Sequence, residues 1–127
     1  MVWGAVGGFF GRRRDSETSL KQMLASLNSL AVNLLRYSEM RFFSPTYEEE
    51  RKFRLEMSLS DLKDFRAITD GLKGKLSPAD LTRSVDVVRS FAVISEAEGV
   101  GFIELNLEPI LRSARWAIAN IEKASRR

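Results

Sequence analysis

Apolar residues in the first third of the chain recur at Leu20, Met23, Leu27, Leu30, Leu34 and Tyr37, in alternating steps of three and four. That is the seam of an amphipathic helix, and Leu24, Ala31 and Leu35 widen it. The pattern predicts a helix over 15–41 whose broad face buries against more than one neighbour. The preferred reading is a bundle core helix, because about two and a half heptads fall short of a coiled coil; a seam for assembly is the alternative. Asp15 or Ser16 is placed to cap the start, and Ser19 to Gln22 spells a second capping box.

Ser44-Pro45 followed by Glu48, Glu49 and Glu50 is a helix-start signal, with a cap, an early proline and acids at the positive end. A second helix is expected over 45–70. Phe53, Leu55, Met57 and Leu59 alternate with polar residues, which is a strand pattern. Composition decides for helix, because no β-branched residue lies between Thr46 and Ile68. Leu55, Leu59, Leu62, Phe65, Ile68 and Leu72 then form one stripe, with Phe53 and Met57 on a second apolar face. Asp70-Gly71 through Gly74 reads as a C-cap and turn, and Ser77-Pro78-Ala79-Asp80 starts a third helix reaching about residue 97. Leu81, Val85, Val88, Phe91 or Ala92, and Ile94 are its expected inner positions.

Gly99-Val100-Gly101 breaks the pattern. Residues 102–107 fit a short extended segment or a helical turn. Pro109 sits in the first turn of a last helix or kinks a longer one, with Leu111, Ala114, Ala117, Ile118 and Ile121 inside and Arg112, Arg115 and Arg126 outside. The expected fold is all-α. It is a four-helix bundle, or a helical hairpin plus two shorter helices, with an irregular N-terminal arm. Short connections favour antiparallel neighbours.

Charge changes the picture at one end only. The net charge of +3 resides entirely in residues 1–14, where Arg12, Arg13 and Arg14 have no acidic counterpart. The rest of the chain is neutral in each third. The chain divides into an apolar and basic arm, residues 1–14, and a single helical domain, residues 15–127. The arm's basic residues follow its apolar ones, opposite to a secretory signal. Its apolar part is too short for a bilayer span, which takes about 20 residues. A cytoplasmic protein, peripheral at the membrane, is expected.

Catalytic chemistry has little to stand on. The 127 residues include neither cysteine nor histidine, which removes thiolates, the commonest metal ligand and the commonest general base. No phosphate-cradling glycine motif follows a strand. Glu48, Glu49 and Glu50 read as a helix N-terminus with i,i+4 partners such as Lys52 and Arg54. Asp61 and Asp64, three apart, read as a solvated edge. Glu96, Glu98, Glu104 and Glu108 read the same way. A non-enzymatic protein is expected, with no cofactor and no metal.

Three uses of the opening compete: an arm packed on its own bundle, an arm clasping a sister subunit, and a membrane-surface wedge. The wedge is preferred, with Val2, Trp3, Val6, Phe9 and Phe10 inserting and Arg12, Arg13 and Arg14 meeting anionic headgroups. Phe9-Phe10-Gly11-Arg12-Arg13-Arg14, a polar cap and a long amphipathic helix resemble the start of ESCRT-III proteins, including archaeal cell-division members. The segment from Ser95 through Pro109 to Ile121, with Arg112 and Arg115, is similar to the closing part of archaeal members. The resemblance implies a helical hairpin that polymerises on membranes and remodels them, with residues 1–14 as the membrane-binding tip. Self-association into an oligomer or polymer is therefore expected. The alternative is a small subunit of a nucleoprotein or viral assembly. There Arg112, Arg115, Lys123, Arg126 and Arg127 would touch nucleic acid and the arm would hold a neighbouring subunit. Trp116, flanked by Arg112 and Arg115, reads first as a partly buried core or interface residue, with stacking on a base as the other reading.

Overall fold

A computed structural model describes the backbone of residues 2–40, 47–72, 76 and 78–126, with side chains from residue 17 onward in those ranges. It contains α1 (Val2–Met40), α2 (Glu48–Asp70), α3 (Ala79–Glu98), α4 (Val100–Leu105) and α5 (Leu107–Ser125), and no strand among the described residues. The all-α expectation holds. The alternating stretch 53–59 lies inside α2, where straight-chain helix formers outweigh the period-two pattern.

The four longer helices form a ring in which α1 packs on α2 and α5, and α3 packs on α2 and α5. Cross-links show the antiparallel order. Across α1 and α2, Met40 meets Arg51 and Asn33 meets Asp61; across α2 and α3, Arg66 meets Glu96 and Asp70 meets Arg89. Across α3 and α5, Ser84 meets Asn120 while Pro78 lies by Lys123 and Ala124. The short α4 packs against α2, α3 and α5. One apolar core runs through the ring. Met23, Leu27, Leu30 and Leu34 enter from α1, Leu62 and Phe65 from α2, and Val85 and Val88 from α3. Ile103 of α4 and Ile110, Ala114 and Ile121 of α5 complete it.

Several sequence expectations are corrected. The arm was expected to be irregular, but the α1 backbone is helical from Val2 and runs 39 residues. Ser19 is therefore interior to a helix, not a cap. Gly71 is the C-cap of α2, as the sequence indicates, but with φ −74° in the right-handed region, its N–H reaching Ile68 O at 3.2 Å in a tightened last turn. Pro78 is the N-cap residue of α3, with ψ 178°, one position before the first helical residue. Ser44, Pro45 and Ser77 lie outside the described residues. On α3 the inner stripe continues through Ala92 to Ser95, both fully buried, and Ile94 is 39% exposed. Steps of four and three from Leu81 lead to 85, 88, 92 and 95, so Ile94 falls off the stripe by one residue. Phe91 is partly buried and meets Phe102 at 6.4 Å between ring centroids.

Of residues 102–107, 102–105 end α4, Asn106 is a turn and Leu107 begins α5, so the segment is not extended. Gly99, at φ +89°, turns the chain out of α3, and its N–H bonds Ser95 O at 2.7 Å. Asn106 joins α4 to α5: its N–H reaches Phe102 O at 3.0 Å while its own carbonyl accepts from Ile110 N–H at 3.0 Å. Pro109 is the third residue of α5, where a backbone N–H would have no intrahelical acceptor.

Candidate functional site

Two places carry more chemistry than packing requires. The first lies between α1 and α2. Helical spacing brings Ser29 and Asn33 to face Arg54, Ser58 and Asp61. Asn33 Nδ2 donates to Asp61 Oδ2 at 2.9 Å, and Arg54 Nη1 donates to Asn33 Oδ1 at 3.0 Å. Arg54 also reaches Glu50 at 3.6 Å, the i,i+4 pair read from the sequence. Asn33 and Asp61 are buried. Burial pushes the Asp61 carboxyl above the usual carboxylate range. Hydrogen bonds from Ser29 and Asn33 oppose the shift, and the charge of Asp64 adds to it. The expectation of a solvated edge therefore fails for Asp61 and holds for the exposed Asp64. Asp61 is one step of three before Asp64 and follows Ser58 on the buried side of α2.

Above this network runs a shallow groove lined by Val32, Phe53 and Met57 with Asn28, Ser29, Asn33 and Arg54. Phe53 is half exposed, and the Arg54 guanidinium lies 5.7 Å from its ring centroid. This is the second apolar face expected on α2. Asp61 does not line the groove, and its oxygen is engaged by Asn33. The network is a polar tie between two helices, and its members Ser29, Asn33 and Arg54 also line the groove. Among the described residues no group of three or more acids is placed to hold a metal ion.

The second place is the outer face of α5. At 3.6 residues per turn, Arg112, Arg115, Trp116, Ala119, Lys123 and Arg126 fall within about 100° of the circumference. The opposite side carries Ile110, Ala114, Ala117 and Ile121, all fully buried. All six outer residues are exposed, Trp116 at 40%. The four cations have no ion-pair or hydrogen-bond partner among the described residues. Among the arginines elsewhere, Arg54, Arg66 and Arg89 pair with Glu50, Glu96 and Asp70, and the exposed Arg83 has no partner among the described residues. Arg127 lies outside the described residues. Glu108 and Glu122 are the acids on α5, and between Pro109 and Ile121 there is none. The sequence alternative thus has four of its five residues on one face.

The other acidic candidates scatter. Glu96 pairs with Arg66, and Glu104 accepts a hydrogen bond from Tyr37 Oη at 2.5 Å, tying α4 to the end of α1. Glu98 and Glu108 are exposed. The membrane-wedge residues Val2, Trp3, Val6, Phe9, Phe10, Arg12, Arg13 and Arg14 lie on the helical backbone of α1, outside the described side chains. No helix is long and apolar enough to cross a membrane among the described residues. Compared with family models, curated proteins and solved structures, the chain matches none.

Proposed function

We propose that this is a non-enzymatic helical protein that self-associates and is held at an anionic membrane surface by residues 2–14. The observation that carries the reading is the continuity of α1 from Val2 to Met40. Spaced along a helix, Val2, Trp3, Val6, Phe9 and Phe10 fall within about a third of the circumference, and Gly4, Gly7, Gly8 and Gly11 fall opposite. A bulky apolar stripe followed by three arginines suits a helix lying in the lipid interface. A preformed helix also lowers the backbone entropy lost on binding, which is largest for glycine.

The magnitudes require an assembly. Three arginines near an anionic surface contribute about 1 kcal/mol each, so a single copy binds weakly and reversibly. Many copies in one assembly bind tightly through avidity. Half-exposed Val32 and Phe53 in one groove, and Val93 and Ile94 on α3, are apolar surface available for self-association. The resemblance of residues 9–14 and of the closing segment to ESCRT-III proteins points the same way.

Liposome flotation tests the reading. The chain should float with anionic vesicles and not with neutral ones, more strongly at low salt than at moderate salt. Replacing Arg12, Arg13 and Arg14 together with glutamate should abolish flotation and leave helicity unchanged by circular dichroism. A wild-type chain that stays down with anionic vesicles, or a variant that floats like the wild type, sinks the proposal.

A further inference from the structure

The outer face of α5 is unaccounted for by a membrane anchor at the other end of the chain. We infer that this face binds single-stranded nucleic acid, with Arg112, Arg115, Lys123 and Arg126 on the phosphates and Trp116 stacked on a base. The inference is independent of the membrane reading.

Three observations carry it. First, the cations are arranged as a line. From Arg112 to Arg126 the stripe runs about 21 Å along the helix axis, at 1.5 Å per residue. A linear polyanion can track a line of this kind, whereas a small anion would use one or two of its charges. Second, these cations are not spent inside the protein. Arg54, Arg66 and Arg89 close their charge on acids of the bundle. The four α5 cations, like Arg83, have no partner among the described residues, and they stand together on one helix face beside an exposed aromatic ring. Third, Trp116 stands 40% exposed between Arg112 and Arg115 on one side and Lys123 on the other. Beside it on the stripe is Ala119, exposed and small, which leaves room for a base to lie flat on the indole.

The chemistry of the face separates the possible partners. A bilayer would need several large apolar residues to insert, and the stripe offers one. A duplex presents its bases edge-on inside a groove, where an indole has no exposed base to stack on. An unpaired base offers its π-face, and stacking on an aromatic ring is tolerant of sequence. The expected binding is therefore electrostatic, with little sequence preference.

The test uses the full chain and a dye-labelled oligouridylate of about 12 nucleotides, longer than the stripe, followed by fluorescence anisotropy across a salt series. For four phosphate contacts on a single strand, the logarithm of affinity should fall with the logarithm of salt at a slope of about −3. Arg112→Ala or Arg115→Ala should each flatten the slope by roughly 0.7. Trp116→Ala should weaken binding about tenfold with the slope unchanged, because a stacked base contributes about 1–3 kcal/mol and 1.4 kcal/mol is tenfold. Trp116→Phe, which keeps a ring, should recover most of the loss and guards against a folding defect in the alanine variant. Replacing Arg12, Arg13 and Arg14 with glutamate should leave oligonucleotide binding in place, which keeps this test separate from the membrane one. The inference is overturned by an absence of binding at low salt, or by tighter binding to a duplex of the same length. Loss of binding in the Arg12–Arg14 variant but not in the α5 variants also overturns it. So does an α5 variant that loses anionic vesicles while keeping the oligonucleotide.

Discussion

Asp61 is a carboxylate buried between α1 and α2. Burial raises its folded pKa above the unfolded value of 3.8, and hydrogen bonds from Ser29 and Asn33 only partly offset this. The folded state therefore binds the proton more tightly than the unfolded chain. Stability falls as pH rises from the ordinary carboxylate range through the folded pKa, and above that it stays at the lower level. Asp61→Asn removes the buried charge and keeps an oxygen to accept from Asn33. Its thermal midpoint should exceed that of the wild type at pH 7, with the gap closing toward pH 3. Melts of both proteins by circular dichroism between pH 3 and 8 check this, and parallel curves would refute it. Asn33→Leu acts in the opposite sense, stripping a donor from a buried carboxylate. It should cost about 2–3 kcal/mol at pH 7 and less at pH 3, where Asp61 is protonated. A pair of acids three apart looks in sequence like a solvated edge. Only the approach of Asn33 from another helix, 28 positions away, puts one of them inside and the other outside.

Among the elements, the break between α3 and α5 depends on one glycine and not on its neighbour. Gly99 sits at φ +89°, ψ −169°, a region nearly closed to side chains, although nothing lies within 4 Å of where a Cβ would be. Gly99→Ala should cost about 1–3 kcal/mol through backbone strain alone. Gly101 lies in α4 with open space around its Cβ position. Gly101→Ala should be neutral or stabilise by up to about 1 kcal/mol. Urea denaturation of the two variants decides it; equal effects would mean that the turn is not held as described. The same substitution two residues apart should thus be costly at one position and harmless at the other. Both glycines read from the sequence only as a break. Their difference lies in dihedral angles, which the residue type does not encode. Elsewhere the helices were legible, because the stripes Met23–Tyr37 and Leu111–Ile121 repeat at the helical period and bury where that period says. The start of α1 was not legible. Glycines at 4, 7, 8 and 11 argue against a helix locally, and Asp15 and Ser16 offered a plausible cap.

At the scale of the whole molecule, all five helices feed a single core, and Phe65 is a large side chain fully buried in it. Phe65→Ala should destabilise the protein by about 3–5 kcal/mol. Because the core is shared, the loss should lower every helix together. In a Trp3→Phe background, far-ultraviolet circular dichroism reports all the helices and Trp116 fluorescence reports α5 alone. The two midpoints should coincide. Separate midpoints would show that α5 unfolds on its own and that the ring of helices is not one cooperative unit.

The sequence by itself determined the helical class, the antiparallel order implied by short connections, and most of the inner stripes. These follow from local periodicity and turn chemistry, which act between residues a few positions apart. It also located the whole net charge and showed that histidine and thiol chemistry are absent. The tertiary structure alone decided which polar residues are spent inside and which are left outside. Asp61 is enclosed because α1 brings Asn33 to it. Arg66 and Arg89 are neutralised by Glu96 and Asp70, acids that only packing brings near. Arg112, Arg115, Lys123 and Arg126 keep their charge on the surface because α5 turns its opposite side to α1 and α3. Periodicity assigns a residue to a side of its own helix. What faces that side is set by long-range packing, where the partner is distant in sequence and the cost of burying a charge depends on whether that partner arrives.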